Sequence, residues 1–291
     1  MHLASSTFVC CLLAAACSGH RSAPPNSTTT TAANQKANTM TNRDKVVALL
    51  ESLETGAGEP VAFINPNKYI QHNLGAADGL AGFGALLAQK PPQGFRAKVV
   101  RAFEDGDFVF AHTEYDFFGP KIGFDIFRFE NGLIVEHWDN LQTTVARTPS
   151  GHTMIDGPVA ASDLDKTGSN KELVRTFVND VLVGEAYGRI GEFISATEYT
   201  QHNPLVPDGL QGLTKTLGDL AAQGVFMKYT KLHQLLGSGN FVLAVSEGNF
   251  GGKATSYYDL FRVAGGKLVE HWDVIEEIPA KADWKNQNGK F

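Results

Sequence analysis

Hydrophobic and polar positions follow two different periods along this chain, and each period occurs in both halves. Apolar residues recur every three or four positions over 44–53 and 171–182, which is the pattern of an amphipathic helix. Further helices are expected over 80–89 and 210–223, each directly after an Asp-Gly pair. Runs rich in Val, Ile and Phe follow these helices and predict strands. Helices followed by consecutive strands indicate an α+β arrangement.

The strands of the first half are predicted from four apolar runs that turn residues separate. The runs cover 96–103, 108–117, 123–129 and 133–141. The intervening segments are 104–107 (EDGD) and 130–132 (ENG). An Asn-Gly pair between apolar runs is a strong hairpin signal. Strands joined by such short turns form an antiparallel meander.

The second half repeats the motifs of the first in the same order. Residues 69–73 (YIQHN) return as 199–203 (YTQHN), and 136–139 (EHWD) return as 270–273. The segments DGLAG and D-I-F-R lie between these motifs and return as DGLQG and D-L-F-R. Order and spacing are kept over about a hundred residues, which indicates a duplication. A period this long is typical of a repeated domain and not of a solenoid unit.

Composition and charge narrow the class of protein. The 291 residues are 43% hydrophobic and 19% charged, which is a globular composition. No apolar run reaches the ~18 residues that span a bilayer, so a polytopic membrane protein is excluded. The formal net charge is −6, and no cluster of Lys and Arg occurs. This charge pattern argues against nucleic acid as a partner.

The N-terminus has the features of an export signal. All three cysteines lie in the first 17 residues, and residues 8–16 form an apolar run of signal-peptide length. Residues 14–17 (AAAC) resemble a bacterial lipoprotein cleavage box, which makes Cys17 the candidate lipidation site. Cleavage after Ala16 without lipidation is the alternative. Either outcome predicts an exported protein, which is periplasmic or held at a membrane as a bacterial lipoprotein.

These features predict the organisation of the chain. A signal peptide over 1–17 precedes a flexible tether over 18–42, which is rich in Ser, Thr, Pro and Asn and has no aromatic residue. The first domain is expected over 43–146 and the second over 169–291, which includes a C-terminal tail. Residues 147–168 are expected to form an ordered linker, because their apolar positions favour packing on a domain.

The repeated motifs QHN, D-G, D-(I/L)-F-R and E-H-W-D resemble the SnoaL-like branch of the nuclear transport factor 2 (NTF2) superfamily. The closest group is described as polyketide-cyclase or aldol-condensation proteins, and the resemblance extends to the tail over 284–291. It implies tandem NTF2-like cone-shaped α+β barrels, each with N-terminal helices packed on a curved, mainly antiparallel sheet. Members commonly dimerise through their sheets. The two copies would therefore form an intramolecular pseudo-dimer, and a further oligomer stays open.

Strand alternation selects the main catalytic candidates. His137 and Asp139 share one face of their strand, and Asp125 lies on the preceding strand. The resemblance to limonene-epoxide hydrolases supports this choice, because those enzymes carry an Asp on each of the same two strands. Their partnering Arg falls near Gly123, which puts epoxide hydrolysis in doubt. The equivalent residues of the second copy are Asp259, His271 and Asp273.

Six further residues are candidates in supporting roles. The histidines of the QHN motifs either assist proton transfer or bond to local backbone groups, and the tryptophans either stack a substrate or lie in a core or sheet interface. A further histidine and a tyrosine on the strand predicted over 108–117 are candidate substrate contacts. The histidines of the QHN motifs are His72 and His202, and the tryptophans of the EHWD motifs are Trp138 and Trp272. The histidine and the tyrosine of the strand over 108–117 are His112 and Tyr115.

These residue types suit general acid–base chemistry without a cofactor. A carboxylate among apolar walls has its pKa raised from about 3.9, because burial penalises the charged form. No HxH or HExxH pair occurs, so no metal is predicted. The first hypothesis is a SnoaL-like lyase or isomerase, acting by aldol or enol chemistry on a small hydrophobic carbonyl compound. A tethered non-catalytic module that binds an apolar small molecule and a purely structural pseudo-dimer are the alternatives.

Overall fold

The computed structural model describes residues 40–91 and 93–291. The predicted signal peptide over 1–17, the lipidation site Cys17 and all but the last three residues of the predicted tether over 18–42 lie outside the described residues. Within the described ranges, no helix is long and apolar enough to cross a membrane.

The first half begins with helix α1 (Asn42–Thr55). Thr41 caps its N-terminus, because Thr41 Oγ1 accepts a hydrogen bond from the Asp44 amide. A 3₁₀ turn (Glu59–Phe63) follows. The remaining elements are β1 (Ile70–Gln71), α2 (Gly79–Leu87), β2 (Arg96–Asp105), β3 (Phe108–Asp116), β4 (Pro120–Glu130) and β5 (Leu133–Thr143).

The second half contains the same succession of strands as the first, but its N-terminal helical region is built differently. A 3₁₀ turn (Leu164–Lys166) leads into α3 (Thr167–Thr176), and a π-helical segment (Phe177–Val183) continues it. A second 3₁₀ turn (Tyr187–Arg189) then precedes a short helix. The later elements are α4 (Ile190–Phe193), β6 (Thr200–Gln201), α5 (Gly209–Ala222), β7 (Met227–Ser238), β8 (Phe241–Phe250), β9 (Lys253–Ala264), β10 (Lys267–Glu277) and a last 3₁₀ turn (Lys281–Asp283).

Two five-stranded sheets have equivalent strand orders, β1-β5-β4-β3-β2 and β6-β10-β9-β8-β7. All neighbouring strands are antiparallel except the short β1 and β6, which pair in parallel with β5 and β10. The predicted hairpin at Asn131-Gly132 is present, and both residues have positive φ (51° and 77°), as a type I′ turn requires. Helices together with mainly antiparallel sheets confirm the α+β class.

The structure corrects two local expectations. The sequence pattern also predicts helical sequence that leads into the QHN motifs, but Gln71 and Gln201 end the short strands β1 and β6 instead. Ser169 and Glu172 fit the sequence pattern of a capping box, but Ser169 does not cap a helix in the structure. Helix α3 begins at Thr167, and Ser169 Oγ donates to the carbonyl of Lys166 inside the first turn.

Each half has its own apolar core between helices and sheet. In the first half, Val46 and Leu49 of α1 pack with Phe127 and Phe129 of β4. In the second half, the α3 segment and the π-helical segment pack on β8, β9 and β10, with Phe261 at the centre. Helix packing on one face of each sheet leaves the other face for a different contact.

Those other faces pack against each other. Phe110, Phe124 and Trp138 of the first sheet share one apolar cluster with Leu260 and Trp272 of the second. The amide of the buried Asn140 also reaches across, because its Nδ2 donates to two carbonyls of the second sheet at 2.9 and 2.8 Å. The two sheets therefore share a core.

Two segments cross from one half to the other. The linker crossover (residues 147–158) follows β5 and lies on the second half, where Ser150 Oγ donates to the carbonyl of Gln201 at 2.6 Å. The tail crossover (residues 284–291) follows β10 and lies on the first half, where Asn288 Nδ2 donates to the carbonyl of Gln71 at 3.0 Å. Each crossover thus packs on the QHN segment of the opposite half.

Candidate functional site

The first pocket lies between α1, α2 and the helix-facing side of the first sheet. The three main catalytic candidates line it together, namely Asp125, His137 and Asp139. Antiparallel register places Asp125 of β4 directly opposite Asp139 of β5. Alternation along β5 then aims His137 and Asp139 at the same side. The sequence pattern therefore brings the predicted acid–base group into one cavity.

His137 is held at both of its ring nitrogens. Nδ1 lies 2.9 Å from Gln71 Oε1 and must donate there, because an amide oxygen can only accept. Nε2 lies 3.2 Å from Asp125 Oδ1. One proton is shared across this second contact, either as an imidazolium that donates to a carboxylate or as a carboxyl that donates to the ring. The pair therefore stores a proton at the pocket.

The two carboxylates have further hydrogen-bond donors. The hydroxyl of Tyr115 donates to Asp125 Oδ2 at 2.8 Å, and the amide of Asn73 donates to Asp139 Oδ2 at 2.6 Å. Burial raises the pKa of the Asp125 carboxyl, while the hydrogen bond from His137 acts in the opposite direction. Burial and the nearby Asp125 raise the pKa of the Tyr115 hydroxyl well above its usual value. Tyr115 is therefore a fixed donor.

The second pocket repeats this arrangement in the other half. His271 Nδ1 donates to Gln201 Oε1 at 3.1 Å, and Nε2 lies 3.0 Å from Asp259 Oδ1. Asn203 Nδ2 donates to Asp273 Oδ2 at 2.5 Å. Burial alone would lower the pKa of His271, but its hydrogen bond with Asp259 and the charge of Asp273 raise it.

The acidity of the Asp273 carboxyl is strongly shifted by its surroundings. Burial raises the pKa of Asp273 from 3.8 to about 6, although the nearby His271 opposes the shift. Its Oδ1 atom is buried and has no hydrogen-bond partner among residues 40–91 and 93–291. A carboxyl with this environment can hold and release a proton close to neutral pH.

A tyrosine and a glycine have exchanged places between the two pockets. In the first pocket, the ring of Tyr115 fills the space that a side chain at Gly123 would need. In the second, Gly248 stands where the repeat aligns Tyr115, and Tyr257 stands where it aligns Gly123. The hydroxyl that reaches Asp259 comes instead from Tyr229 on the outer strand β7, at 3.3 Å to both oxygens.

The cavities in front of these groups have mainly apolar walls. The first has a volume of about 190 Å³ and is lined by side chains such as Leu49, Phe83, Phe117 and Leu141. An apolar cavity of about 150 Å³ is large enough to hold benzene, so this one admits a ring-sized molecule. The second cavity is smaller, at about 80 Å³.

The spacing of each group would also suit a divalent cation. One ligand atom from each of Asp125, His137 and Asp139 lies within 4.8 Å of the other two, and the equivalent group of the second half shares this property. The contact between each histidine Nε2 and its carboxylate already accounts for these positions as an acid–base pair. Spacing alone therefore assigns no metal.

The QHN histidines lie outside the pockets. His72 Nδ1 donates to the carbonyl of Gly289 at 2.9 Å, and its ring stacks on Trp138 with centroids 4.6 Å apart. His202 repeats both contacts, with the carbonyl of Thr153 and with the ring of Trp272. Alternation turns these rings away from their flanking Gln and Asn. Of the two alternatives for these histidines, the contacts favour bonding to backbone groups, and those groups belong to the crossovers.

His112 and the two tryptophans also lie away from the cavities. His112 is on the sheet–sheet face of β3, where its Nδ1 accepts from Arg101 Nη1 at 2.7 Å. Burial and the adjacent guanidinium of Arg101 lower the pKa of His112 well below its usual value. Trp138 and Trp272 belong to the shared core. The expected substrate contact of His112 is therefore corrected, and the tryptophans follow the core or sheet-interface alternative. Tyr115 does line its pocket.

Several site residues were not selected from the sequence. Gln71 and Asn73, with Gln201 and Asn203 in the second half, position the histidine and the second carboxylate of each pocket. Their signal was visible, because the whole QHN motif repeats and not the histidine alone. Tyr229 gave no such signal, since the first half has Ala97 at the matching position of its outer strand.

No family model matches the chain, and no curated protein matches it. Among solved structures, an NTF2-like protein of unknown function from Cytophaga hutchinsonii is 18% identical, with a TM-score of 0.31 over 35% of this chain and 91% of that one. Another from Mesorhizobium loti is 21% identical, with a TM-score of 0.32 over 40% and 99%. A SnoaL-like polyketide cyclase from Agrobacterium tumefaciens is 13% identical, with a TM-score of 0.29 over 37% and 91%. At these TM-scores the likenesses assign neither fold nor activity.

Proposed function

We propose that the chain is a cofactor-independent acid–base enzyme, a lyase or isomerase that acts on a small hydrophobic carbonyl compound. One observation carries the proposal. A histidine and two carboxylates, Asp125, His137 and Asp139, face an apolar cavity of about 190 Å³. Apolar walls would bind the body of such a compound, while the polar group would meet its carbonyl end.

In the proposed reaction, the carboxylate of Asp139 removes a proton from the carbon next to the carbonyl. The electron pair of the broken C–H bond forms an enolate, whose oxygen accepts a hydrogen bond from the proton shared by His137 and Asp125. Return of the proton to a different carbon gives an isomer. Attack of the enolate carbon on a second carbonyl instead gives an alkoxide, which takes the proton from Asp139 to form the aldol product. Each step needs only the groups that the pocket contains.

The test follows hydrogen exchange in the full-length chain. Ketones and β-keto esters of ring size are incubated in D2O with the protein, and deuterium at the carbon next to the carbonyl is measured by NMR. We expect exchange above background that falls at least about 100-fold in the double variant Asp139→Asn/Asp273→Asn. A matched control is Asp219→Asn on the exposed face of α5, which should exchange like the native protein.

Equal exchange with the native chain, with the double variant and with buffer would remove the enzyme hypothesis for this substrate class. Binding of the same compounds without exchange would favour the alternative, a non-catalytic module that holds an apolar small molecule. The cavities themselves favour either of these over a purely structural pseudo-dimer, because aromatic side chains do not fill them.

Each half, in this proposal, is an NTF2-like SnoaL-type domain with bounds at 43–146 and 169–291 and the segment 147–168 as an ordered linker. The shared core between the sheets supports an intramolecular pseudo-dimer of the two. Export through residues 1–17, with lipidation at Cys17 and a tether over 18–42, would hold this unit in the periplasm or at a membrane surface. Labelling with a radioactive fatty acid, lost in Cys17→Ala, tests the anchor.

A further inference from the structure

The tail crossover places a buried cation beside the first pocket. Lys290 is only 6% exposed, and its ammonium group pairs with Glu276 of β10. The same Nζ atom lies 3.8 Å from Asp139 Oδ1. Since Asn73 donates to Oδ2, both oxygens of Asp139 face a positive or donating group. This cation belongs to the second half of the sequence and acts on the pocket of the first.

The linker crossover offers a methionine at the equivalent position. Gly289 of the tail and Thr153 of the linker are matched residues, because their carbonyls accept from Nδ1 of the two QHN histidines, at 2.9 and 2.7 Å. The next residue is Lys290 in the tail and Met154 in the linker. Met154 is buried in the shared core. The second pocket therefore receives no matching charge from its crossover.

The partner of the lysine has changed together with it. Glu276 lies three residues after Asp273 in β10, and the same step from Asp139 in β5 leads to Gln142. Gln142 is neutral and accepts through Oε1 from the backbone amide of Ile275 at 3.0 Å. One side of the sheet interface thus holds a Lys–Glu pair where the other side holds Met and Gln. The counterparts of Lys290 and Glu276 are both uncharged, so the two sides of the interface differ by an ion pair and not by a single residue.

The two matched carboxylates consequently have different environments. Asp139 has a donor at one oxygen and the ammonium of Lys290 near the other. Asp273 has a donor from Asn203 at Oδ2, but its buried Oδ1 lacks a partner in the described part of the chain. The raised pKa of Asp273, about 6, agrees with this difference. A cation within about 4 to 6 Å favours the charged form of a carboxyl, and burial without one favours the neutral form.

Other titratable groups also face these two carboxylates, and most of them have a counterpart in the other half. Each carboxylate has a histidine on its own strand, a second aspartate on the adjacent strand, and buried tyrosines nearby. Around Asp139 these groups are His137, Asp125, Tyr69, Tyr115, Tyr258 and Glu276. Around Asp273 they are His271, Asp259, His202, Tyr199 and Tyr229. Lys290 is the cation that breaks the match.

We infer that Lys290 is a positioning residue which favours the ionised form of Asp139 as the base of the first pocket, whereas Asp273, which has no such cation, holds a proton more readily and serves as the acid of the second. The role of Asp139 as a base rests on the proposed function. The effect of Lys290 on the ionisation of Asp139 does not depend on that function. The two pockets then carry the same side chains, but their matched carboxylates differ in how readily they hold a proton. Proton abstraction belongs to the first pocket, and the second suits ligands that accept a hydrogen bond from a carboxyl group.

The test exchanges the two crossover residues in the full-length chain. Aspartate side-chain carboxyl carbons are labelled with ¹³C, and their shifts are followed by NMR near pH 5 in the native protein, in Lys290→Met and in Met154→Lys. We expect the ratio of ionised to protonated Asp139 to fall about tenfold or more in Lys290→Met. We expect the ratio for Asp273 to rise by a similar factor in Met154→Lys. Deuterium exchange of the carbonyl panel is measured on the same samples.

Lys290→Arg separates charge from packing. Arginine keeps the positive charge, so this variant should retain both the ionisation of Asp139 and the exchange rate, whereas Lys290→Met should slow exchange at least about tenfold. If Met154→Lys does not fold, since it buries a new charge, the Lys290 series alone decides the question. Unfolding by urea checks that Lys290→Met and Lys290→Arg are folded under the conditions of the titration.

The outcomes separate the two proposals. Asp139 and Asp273 that titrate alike in the native chain, or an Asp139 signal that Lys290→Met leaves unchanged, would overturn the inference. A carboxyl signal that responds to Lys290→Met, in a protein that exchanges no substrate proton, would retain the inference about ionisation and reject the enzyme. Exchange that disappears in Asp139→Asn but is insensitive to Lys290→Met would retain the enzyme and reject the inference about Lys290.

Discussion

A single buried carboxyl shows how the site affects the stability of the protein. When the pKa of Asp273 rises to about 6, the folded chain retains a proton that the unfolded chain has already released. Ionised Asp273 therefore costs the folded state about 3 kcal/mol at neutral pH. The cost is absent below the unfolded pKa and grows as pH rises toward 6. Asparagine removes this cost and still offers an oxygen that accepts from Asn203.

We predict that Asp273→Asn makes the protein more stable at pH 7 relative to the native chain than at pH 4. Urea unfolding at the two pH values measures the difference, which should be on the order of 2 to 3 kcal/mol. Asp219→Asn, at an exposed position of α5, is the control and should show little change between the two pH values. Equal effects of Asp273→Asn at both pH values would contradict a raised pKa for Asp273.

At the scale of strands, the alternation of side chains explains both what the sequence predicted and what it missed. Alternation along β5 separates His137 and Asp139 from Trp138, and the structure places them on opposite faces. The same rule along β3 separates Tyr115 from His112. Both were expected at the substrate, but only Tyr115 lines the cavity. The alternation of side chains along each strand is therefore sufficient to separate the residues that face the cavity from those that face the other sheet.

Contacts between the halves were beyond the reach of local patterns. The bond from His72 to the carbonyl of Gly289 joins residues 217 positions apart, and neither residue type signals the other. Lys290 lies in a polar tail whose composition resembles a surface segment, although it is buried. The repeat predicted two similar units with similar strands. It could not predict which loops cross between them, because that choice depends on how the sheets pack.

The exchanged tyrosine and glycine of the two pockets give an element-scale prediction. A Cβ atom at Gly123 in β4 would lie 2.4 Å from the ring of Tyr115 and 3.0 Å from Leu141. The ring would have to move away from the position in which it donates to Asp125. We expect Gly123→Ala to destabilise the protein by about 1 to 3 kcal/mol, which urea unfolding measures.

A second glycine provides the control for that substitution. Gly84 is exposed in α2, and a Cβ there would meet no atom within 4 Å. Gly84→Ala should therefore be neutral or stabilise the helix by about 0.5 to 1 kcal/mol. If Gly123→Ala were as stable as Gly84→Ala, the ring of Tyr115 would not be confined as the structure describes it. The tyrosine could then not serve as a fixed donor.

At the scale of the whole molecule, the sheet interface contains a buried cation of structural importance. Arg101 of β2 is 3% exposed, and its guanidinium lies 4.4 Å from the ring centroid of Trp272. Its Nη2 donates to the carbonyls of Ile155 and Asp156, and its Nε donates to that of Pro158. Burial lowers the pKa of Arg101 to about 10, so the group stays charged at neutral pH. One side chain thus joins the first sheet, the linker crossover and the second sheet.

Arg101→Met should therefore weaken both halves together. The substitution leaves three carbonyls of the linker crossover without their donor, which costs at least about 3 kcal/mol. Because the sheets share one core, this loss should appear equally in β4 of the first half and β9 of the second. Native-state hydrogen exchange of backbone amides in these two strands measures the opening free energy of each half. Arg189→Met, which removes an exposed ion pair in the second half, should leave the opening free energies of both strands nearly unchanged. A fall confined to one strand after Arg101→Met would mean that the halves unfold independently, and that neither pocket depends on the crossover from the opposite half.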